Sequence, residues 1–251
     1  MIQNKRCSAC SSATMKKVCI IPYYYSDKKI PSEIRTCNAC GTYKRIIDLE
    51  ITENRYGIYN NPINEVQWFE RKKKFYWEIL NLAKKYGKYH NSMLDYGCSF
   101  GHLMKIFEYK GFNTIGIEPH GFKEKENIYY SLDRIPKQKF DVITLIDSLY
   151  YLEHPKIILN ELKELLNKNG IIIMRLSNLC YMINFWQKLT GGIAYELFDD
   201  HINQFSLKGI HKLIKEAKLN VIDVLFKIEG SEKKGYQKYS LKLLELISLL
   251  P

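Results

Sequence analysis

The chain has 251 residues, of which 46% are apolar and 26% are charged, which suits one domain of ordinary size with a smaller unit beside it. This composition excludes extensive disorder and a coiled coil. The sequence contains no apolar run near the roughly 18 residues of a transmembrane helix, and its start lacks the apolar core of a signal peptide. We therefore expect a cytoplasmic protein.

The formal net charge of +11 suggests a nucleic-acid binder at first. Residues 1–93 carry most of the excess, however, whereas residues 94–224 carry 16 basic and 16 acidic side chains. Lysine accounts for 31 of the 38 basic residues, and arginine, which suits bidentate phosphate contacts, is scarce. Charge alone therefore favours nucleic-acid binding only weakly.

Four of the seven cysteines form two Cys-x-x-Cys pairs. They are Cys7, Cys10, Cys37 and Cys40. Two such turns give the four sulfur ligands that tetrahedral zinc prefers, and disulfides are the weaker alternative in a chain without a signal peptide. We predict a structural zinc ribbon over residues 1–50, with a β-hairpin from the 18–25 stretch between the pairs. Cys19 is expected to be a small apolar side chain rather than a ligand.

Residues 51–91 are interpreted as a linker and an N-terminal helix. Apolar side chains recur at helical spacing from Val66 to Tyr86. The basic run 71–74 within this stretch is expected to form a solvated helix face.

Residues 92–226 alternate short apolar runs with helix-length segments, which is typical of an α/β fold with a doubly wound, mainly parallel, Rossmann-like sheet. The predicted strands are Met93–Tyr96, Thr114–Glu118, Ile128–Tyr130, Phe140–Ile146, Ile171–Leu176 and Val221–Phe226. The predicted helices are 101–110, 155–168 and 206–218, the last with Ser206 as N-cap. In the tail, 227–251, polar residues spaced three apart within Leu241–Leu250 predict an amphipathic helix docked on the core.

The segment Leu94–Leu103 combines a strand, a glycine turn and a helix start. Gly97 permits close backbone approach at the strand end, and Gly101 lets the helix pack near it. Glu118 ends the next strand, where an acidic side chain can accept both hydroxyls of a ribose.

The order acidic residue, Gly, three residues, Gly resembles the first motif of class I S-adenosylmethionine-dependent methyltransferases. Further matches follow in the expected order over about residues 66–226, at Phe140–Ile143, Tyr151–Pro155, Asn169–Ile173 and Asp200–Ser206. The resemblance implies S-adenosylmethionine as cofactor. The implied cofactor-binding residues are Asp95, Gly97, Cys98, Ser99, Gly101, Glu118, Pro119, Asp147 and Ser148. The first glycine loop would surround the methionine part, Glu118 would hold the ribose, and Asp147 and Ser148 would lie near the sulfonium; for Asp95, Cys98 and Ser148 an ordinary turn role is the alternative.

A four-cysteine ribbon joined to such a domain resembles the deoxysugar C-methyltransferases and related enzymes of polysaccharide and antibiotic pathways. In that family a Tyr-x-Glu-His segment supplies a base, and the matching positions here are 198–201. The resemblance implies His201 as base, oriented by Asp200, with His154 as runner-up; a helix-capping or packing histidine is the alternative. Phe198 stands in place of the tyrosine, which leaves O-methylation open. No seventh strand is evident after Phe226, so the terminal helix takes its place or the chain is incomplete.

We expect a methyltransferase acting on a small polar acceptor, a sugar or a nucleotide-sugar in glycan or secondary metabolism, with an anionic acceptor favoured near the basic N-terminal part. The alternative is an RNA methyltransferase that binds RNA through the basic ribbon. The segment 147–151, after the fourth strand, lacks the Pro-Pro-aromatic sequence that grips a flipped base, which favours the small acceptor. A binding module without catalysis is the weakest alternative, because the cofactor motif is intact.

Overall fold

The computed structural model describes residues 6–25, 28–47, 62–119, 126–177, 179–191, 198, 201–229 and 240–248. Within these residues, strands form two sheets with helices packed around the larger one. No helix in these ranges is long and apolar enough to cross a membrane.

The smaller sheet contains the N-terminal hairpin. It comprises β1 (Met15–Tyr25), β2 (Lys28–Cys37), β3 (Tyr43–Ile46) and β9 (Asn203–Gln204), in that order and all antiparallel. The hairpin predicted between the cysteine pairs is confirmed. Strand β9, which is distant from the hairpin in sequence, was not predicted to join this sheet.

The larger sheet has seven strands in the order β10-β11-β8-β7-β4-β5-β6. These are β4 (Ser92–Tyr96), β5 (Asn113–Ile117), β6 (Ile128–Tyr129), β7 (Phe140–Ile146), β8 (Leu166–Ser177), β10 (Asn220–Glu229) and β11 (Ser240–Ser248). The five strands from β6 to β8 are parallel, which confirms the Rossmann-like α/β prediction.

In the described part of the chain, five α-helices accompany the sheets: α1 (Pro62–Tyr86), α2 (His102–Glu108), α3 (Pro155–Glu164), α4 (Leu179–Thr190) and α5 (Leu207–Glu216). The Ser206 hydroxyl accepts from the Gly209 amide at 2.9 Å and caps α5, as predicted. A short 3₁₀ turn, Leu149–Tyr151, follows β7. Helix α4 has no counterpart among the predicted helices.

The C-terminal helix predicted over Leu241–Leu250 is wrong. The stretch forms β11, which pairs antiparallel with both β8 and β10 and is the seventh strand that the sequence had seemed to lack. A short leucine-rich run is compatible with a helix or with a strand, and here hydrogen bonds to strands on both sides decide the outcome. Residues 227–251 were predicted to be a helical tail. The residues of this range that the structure describes, 227–229 and 240–248, are strand instead.

The ribbon and the catalytic domain share a hydrophobic core and a sheet across the boundary predicted between them. Cys7, Cys37, Cys40 and Ala9 belong to the same hydrophobic core as Leu94, Ile143 and Leu213 of the larger domain, and Cys10 packs against that core. Since β9 follows the larger domain's α4 in sequence yet pairs with β3, the chain returns to the ribbon sheet before it completes the larger domain. The ribbon is thus built into the domain rather than tethered to it.

Candidate active site and cysteine cluster

The glycine turn after β4 lies where the strand order reverses. Strands β5 and β6 extend the sheet to one side of β4, and β7 and β8 extend it to the other, so the crevice between β4 and β7 opens at their carboxyl ends. Gly97 has φ +80°, and a β-carbon there would lie 2.6 Å from the Ser148 β-carbon. The Ser148 hydroxyl is buried with no hydrogen-bond partner among the described residues. Ser148 thus leaves no room for a side chain at residue 97, and its unsatisfied hydroxyl at this crevice fits a bound cofactor.

Glu118 is the second predicted cofactor contact. It follows the neighbouring strand β5 and hydrogen-bonds to the glycine turn. Its carboxylate accepts from the Ser99 backbone amide at 2.8 Å. Ser99 has φ +51° and Gly101 has φ +76°, so the turn is held in a left-handed conformation. Pro119 follows Glu118 and is exposed.

Close packing below the turn involves Cys98, which is buried at the side of β5. A β-carbon on Gly116 would lie 2.5 Å from the Cys98 sulfur, so Gly116 makes room for this side chain. Sequence reasoning identified Cys98 but not Gly116, whose role depends on the register between strands.

Asp95 is buried at the end of β4, between Gly116 of β5 and Thr144 of β7. Its carboxylate accepts from the Thr144 hydroxyl at 2.7 Å. Burial raises the pKa of Asp95 to about 7, with the Glu118 charge adding to the rise and the Thr144 hydrogen bond opposing it. Binding a cationic group nearby would favour the ionised form.

Asp147 stands at the carboxyl end of β7 with φ +57°, and two cations hold its carboxylate. Arg175 of β8 donates to it at 2.8 Å, and the ammonium nitrogen of Lys72 in α1 lies 3.5 Å away. Lys72 was assigned to a solvated basic face, whereas only its neighbours in the run 71–74 are exposed. Sequence reasoning missed Arg175 and Lys72, since neither belongs to the motifs.

Helix α1 also covers the turn from the N-terminal side. The buried imidazole of His102, one residue after Gly101, lies 3.3 Å from the Glu65 carboxylate of α1. The ring also contacts Phe69, with ring centroids 5.1 Å apart. The linker helix therefore forms one wall of the predicted cofactor site.

His201, the predicted base, is buried beside the exit of β7. Its ring stacks on Tyr150 with centroids 3.7 Å apart and meets Tyr151 edge-on at 5.2 Å. The Gln204 side-chain amide lies 2.8 Å from its Nδ1. The structure thus brings His201 to the strand that carries Asp147 and Ser148.

The other predicted catalytic residues have different placements. His154 is the exposed N-cap residue of α3, without a capping hydrogen bond from its side chain. Asp200 lies outside the described residues. Phe198, at the position where the sugar enzymes have tyrosine, is buried and packs edge-on against Tyr43 of the hairpin, with ring centroids 5.6 Å apart.

The four predicted metal ligands converge. Their sulfur atoms all lie within 4.8 Å of one another, and the Cys7–Cys40 and Cys10–Cys37 sulfur pairs are each 3.6 Å apart. These separations exceed a disulfide bond of about 2.05 Å and match the edge of about 3.8 Å expected for tetrahedral zinc thiolate. The Cys7 hydrogen bond lowers the pKa of Cys40 to about 4, while the pKa of Cys7 is raised. Cys19 instead packs with the apolar side chains between hairpin and α4.

Comparison with known proteins assigns this chain to a family. The family model described as a methyltransferase domain matches residues 68–224. A methyltransferase structure from Clostridium acetobutylicum ATCC 824, described as S-adenosylmethionine-dependent, aligns with a TM-score of 0.51 and 17% identity, covering 76% of this chain and all of the other. One from Methanosarcina mazei aligns with a TM-score of 0.51 and 13% identity, covering 67% and 97%. No curated protein sequence matches this chain.

Proposed function

The chain belongs to the methyltransferase domain family and is an S-adenosylmethionine-dependent methyltransferase, and from this premise we propose that it methylates a small polar acceptor, a sugar or nucleotide-sugar of glycan or secondary metabolism. The cofactor supplies an electrophilic methyl group on a sulfonium. Glu118 would bind its ribose, the turn from Gly97 to Gly101 would receive its methionine part, and Ser148 would hydrogen-bond near the sulfonium.

The acceptor side supports a small molecule through one observation: after β7, one oxygen of the Asp147 carboxylate and the ring of Tyr150 are engaged in contacts within the protein. The Asp147 carboxylate is bonded to Arg175 and held by Lys72, and Tyr150 is buried against His201. Base-methylating enzymes of nucleic acid often present a polar side chain and an aromatic ring at this exit to grip a flipped base. Here those groups are engaged inside the fold.

The basic ribbon gives RNA less support than its charge suggests. Lys44 and Arg45 of β3 are buried, and burial lowers the pKa of Lys44. Phosphate contacts need exposed cations, so these two side chains are withdrawn from any such surface. The exposed Lys16 and Lys17 of β1 add positive potential that would attract an anionic acceptor, and Lys17 also lies 3.8 Å from the Glu33 carboxylate.

His201 would take the proton from an acceptor hydroxyl as the new bond to the methyl carbon forms. A neutral imidazole has one ring nitrogen without a hydrogen, and this nitrogen can accept the proton of a hydroxyl. Alignment of donor and acceptor supplies the rest of the rate enhancement.

We further propose that the four cysteines hold one zinc ion with a structural role. Four protein sulfurs complete a tetrahedron and leave no position for a reactive water. The burial of the cluster in the main core agrees with a stabilising role.

The class of acceptor is tested by measuring which molecules bind to the protein in the presence of S-adenosylhomocysteine. We expect calorimetry to detect nucleotide-linked sugars, while RNA binds weakly in 50 mM and in 200 mM salt. RNA binding that is tight in low salt and falls steeply with added salt, together with no binding of nucleotide-linked sugars, would overturn the proposal.

A further inference from the structure

The segment 201–206 connects the cysteine cluster to the predicted base. At its start, His201 lies on Tyr150, and the next amide, of Ile202, donates to the Tyr150 carbonyl at 3.1 Å. At its end, Ser206 caps α5. Between them, Asn203 and Gln204 form β9 on the hairpin sheet.

Both metal-binding turns hold this segment directly. In the first turn, the Ser8 hydroxyl donates to the Asn203 side-chain oxygen. In the second turn, the Cys40 carbonyl accepts from the Ser206 hydroxyl. A β-carbon on Gly209 would lie 2.0 Å from the Thr42 hydroxyl, so the second turn sits against the start of α5.

The strand β3 adds a backbone link between the same two regions. Tyr43 pairs with Gln204, and the Arg45 amide donates to the Ile202 carbonyl at 2.7 Å. The Asn203 amide side chain, itself fully buried, donates to the Leu152 carbonyl at 2.7 Å, which ties the segment to the exit of β7.

We call the segment 201–206, with its contacts to the two cysteine turns and to β3, the clamp. Gln204 is the residue of the clamp that contacts the His201 imidazole. Its side chain is buried and lies 2.8 Å from His201 Nδ1. If its oxygen accepts from Nδ1–H, then Nε2 is the basic ring nitrogen; if its NH₂ group donates to Nδ1, then Nε2 carries the hydrogen. Only the first arrangement leaves Nε2 able to accept a proton, so the orientation of the Gln204 amide decides whether His201 can act as a base.

We propose that Gln204 is a positioning residue for His201 and that metal binding to the cysteine cluster holds Gln204 in place. Its catalytic consequence rests on the proposed function, whereas the structural coupling does not. The segment 201–206 contacts Tyr150 and Leu152, whereas the glycine turn itself is shaped by Glu118 and Ser148. Metal removal should therefore disturb His201 more than it weakens cofactor binding.

The coupling is measured by ¹⁵N NMR of the full-length protein labelled at histidine, with the His201 signals assigned from their loss in His201→Asn. Metal-loaded protein should show one tautomer, and chelated protein or Cys10→Ser should shift and broaden the His201 signals. Cys19→Ser is the matched control, since Cys19 lies in the same hairpin outside the cluster. Identical His201 signals with and without metal would overturn the coupling.

Gln204 itself is tested without disturbing the cluster. Gln204→Leu should lower kcat by about tenfold or more while the Kd for the cofactor stays within about twofold. Gln204→Glu should raise the His201 pKa and move the acidic limb of the kcat–pH profile upward, because a carboxylate stabilises the imidazolium. Among the described residues, the phenols of Tyr150 and Tyr151 contact the ring. The nearby cations of β3, Lys44 and Arg45, contact the Arg6 carbonyl and the Tyr23 ring.

The outcomes separate this inference from the proposed function. An unchanged pH profile in Gln204→Glu, or cofactor affinity lost in parallel with kcat in Gln204→Leu, would contradict the positioning role. Full turnover in His201→Ala would instead contradict the base while leaving the NMR coupling standing.

Discussion

Gly97 and Ser148 face each other across the crevice between β4 and β7, so closely that a β-carbon on residue 97 would lie 2.6 Å from the Ser148 β-carbon. The backbone of one strand end therefore comes close to the side chain of the next. This close approach lies at the reversal of strand order, where we propose that the cofactor binds.

Gly97→Ala should weaken S-adenosylmethionine binding by about tenfold or more, because the methyl group forces Ser148 away from the crevice. Gly111→Ala is the matched control: Gly111 has φ +85°, similar to Gly97, but no atom within 4 Å of an added β-carbon. Both variants should lose about 1–2 kcal/mol of stability from left-handed strain. Equal cofactor affinity in the two variants, by calorimetry, would contradict the steric account.

Glu118→Gln should weaken S-adenosylmethionine binding by roughly ten- to a hundredfold, since hydrogen bonds to a charged group contribute about 1.5–3 kcal/mol. The same substitution loosens the bond from the Ser99 amide, which shapes the turn. Glu126→Gln, at an exposed position, serves as control and should bind normally. Calorimetric titration of both variants checks this, and unchanged affinity in Glu118→Gln would remove Glu118 from the site.

Asp95 predicts a pH dependence of cofactor binding. With its pKa near 7 in the fold, Asp95 is largely protonated at pH 6 and ionises as the pH rises. A cationic cofactor binds the ionised form better, so affinity should increase between pH 6 and 7.5, and Asp95→Asn should flatten that increase. The same shift makes the unliganded fold lose stability between about pH 4 and 7, because the unfolded carboxyl ionises first. A wild-type profile that persists in Asp95→Asn would assign the dependence to another group.

Metal removal should lower the melting temperature of the whole protein in a single transition. The cysteine cluster shares its core with Leu94 and Leu213, so the ribbon has no separate core to melt on its own. Elemental analysis should find one zinc per chain, lost in Cys10→Ser and kept in Cys19→Ser. Two well-separated unfolding transitions in calorimetry would contradict this integration.

His201→Ala should reduce turnover by about 100-fold or more, the contribution typical of a general base, with the Kd for the cofactor unchanged. His154→Ala provides the comparison, because His154 is exposed at the start of α3. Steady-state rates with calorimetry on the same samples separate the two histidines, and loss of turnover only in His154→Ala would reverse their assignment.

Local pattern was enough to predict the central strands and the ligand set. Phe140–Ile146 is the observed β7 to the residue, because a buried parallel strand is a continuous apolar run. The cysteine spacing likewise predicted a cluster that the structure forms. Ser206 as N-cap followed from its chemistry alone.

Features that depend on contacts between segments distant in sequence could not be predicted from local pattern. Strand β9 has only two residues and exists because β3 lies beside it. The run 241–250 became a strand because β8 and β10 flank it on both sides. Arg175 and Lys72 gained their roles by meeting at Asp147 from two separate elements, which no local motif records.

The central claim, methyl transfer to a small polar acceptor, is tested most directly by incubating the protein with methyl-labelled S-adenosylmethionine and two acceptor pools, small metabolites enriched in nucleotide-sugars and total RNA. We predict label in the small-molecule pool, lost in His201→Ala and in Gly97→Ala. Label that appears only in RNA would contradict the account.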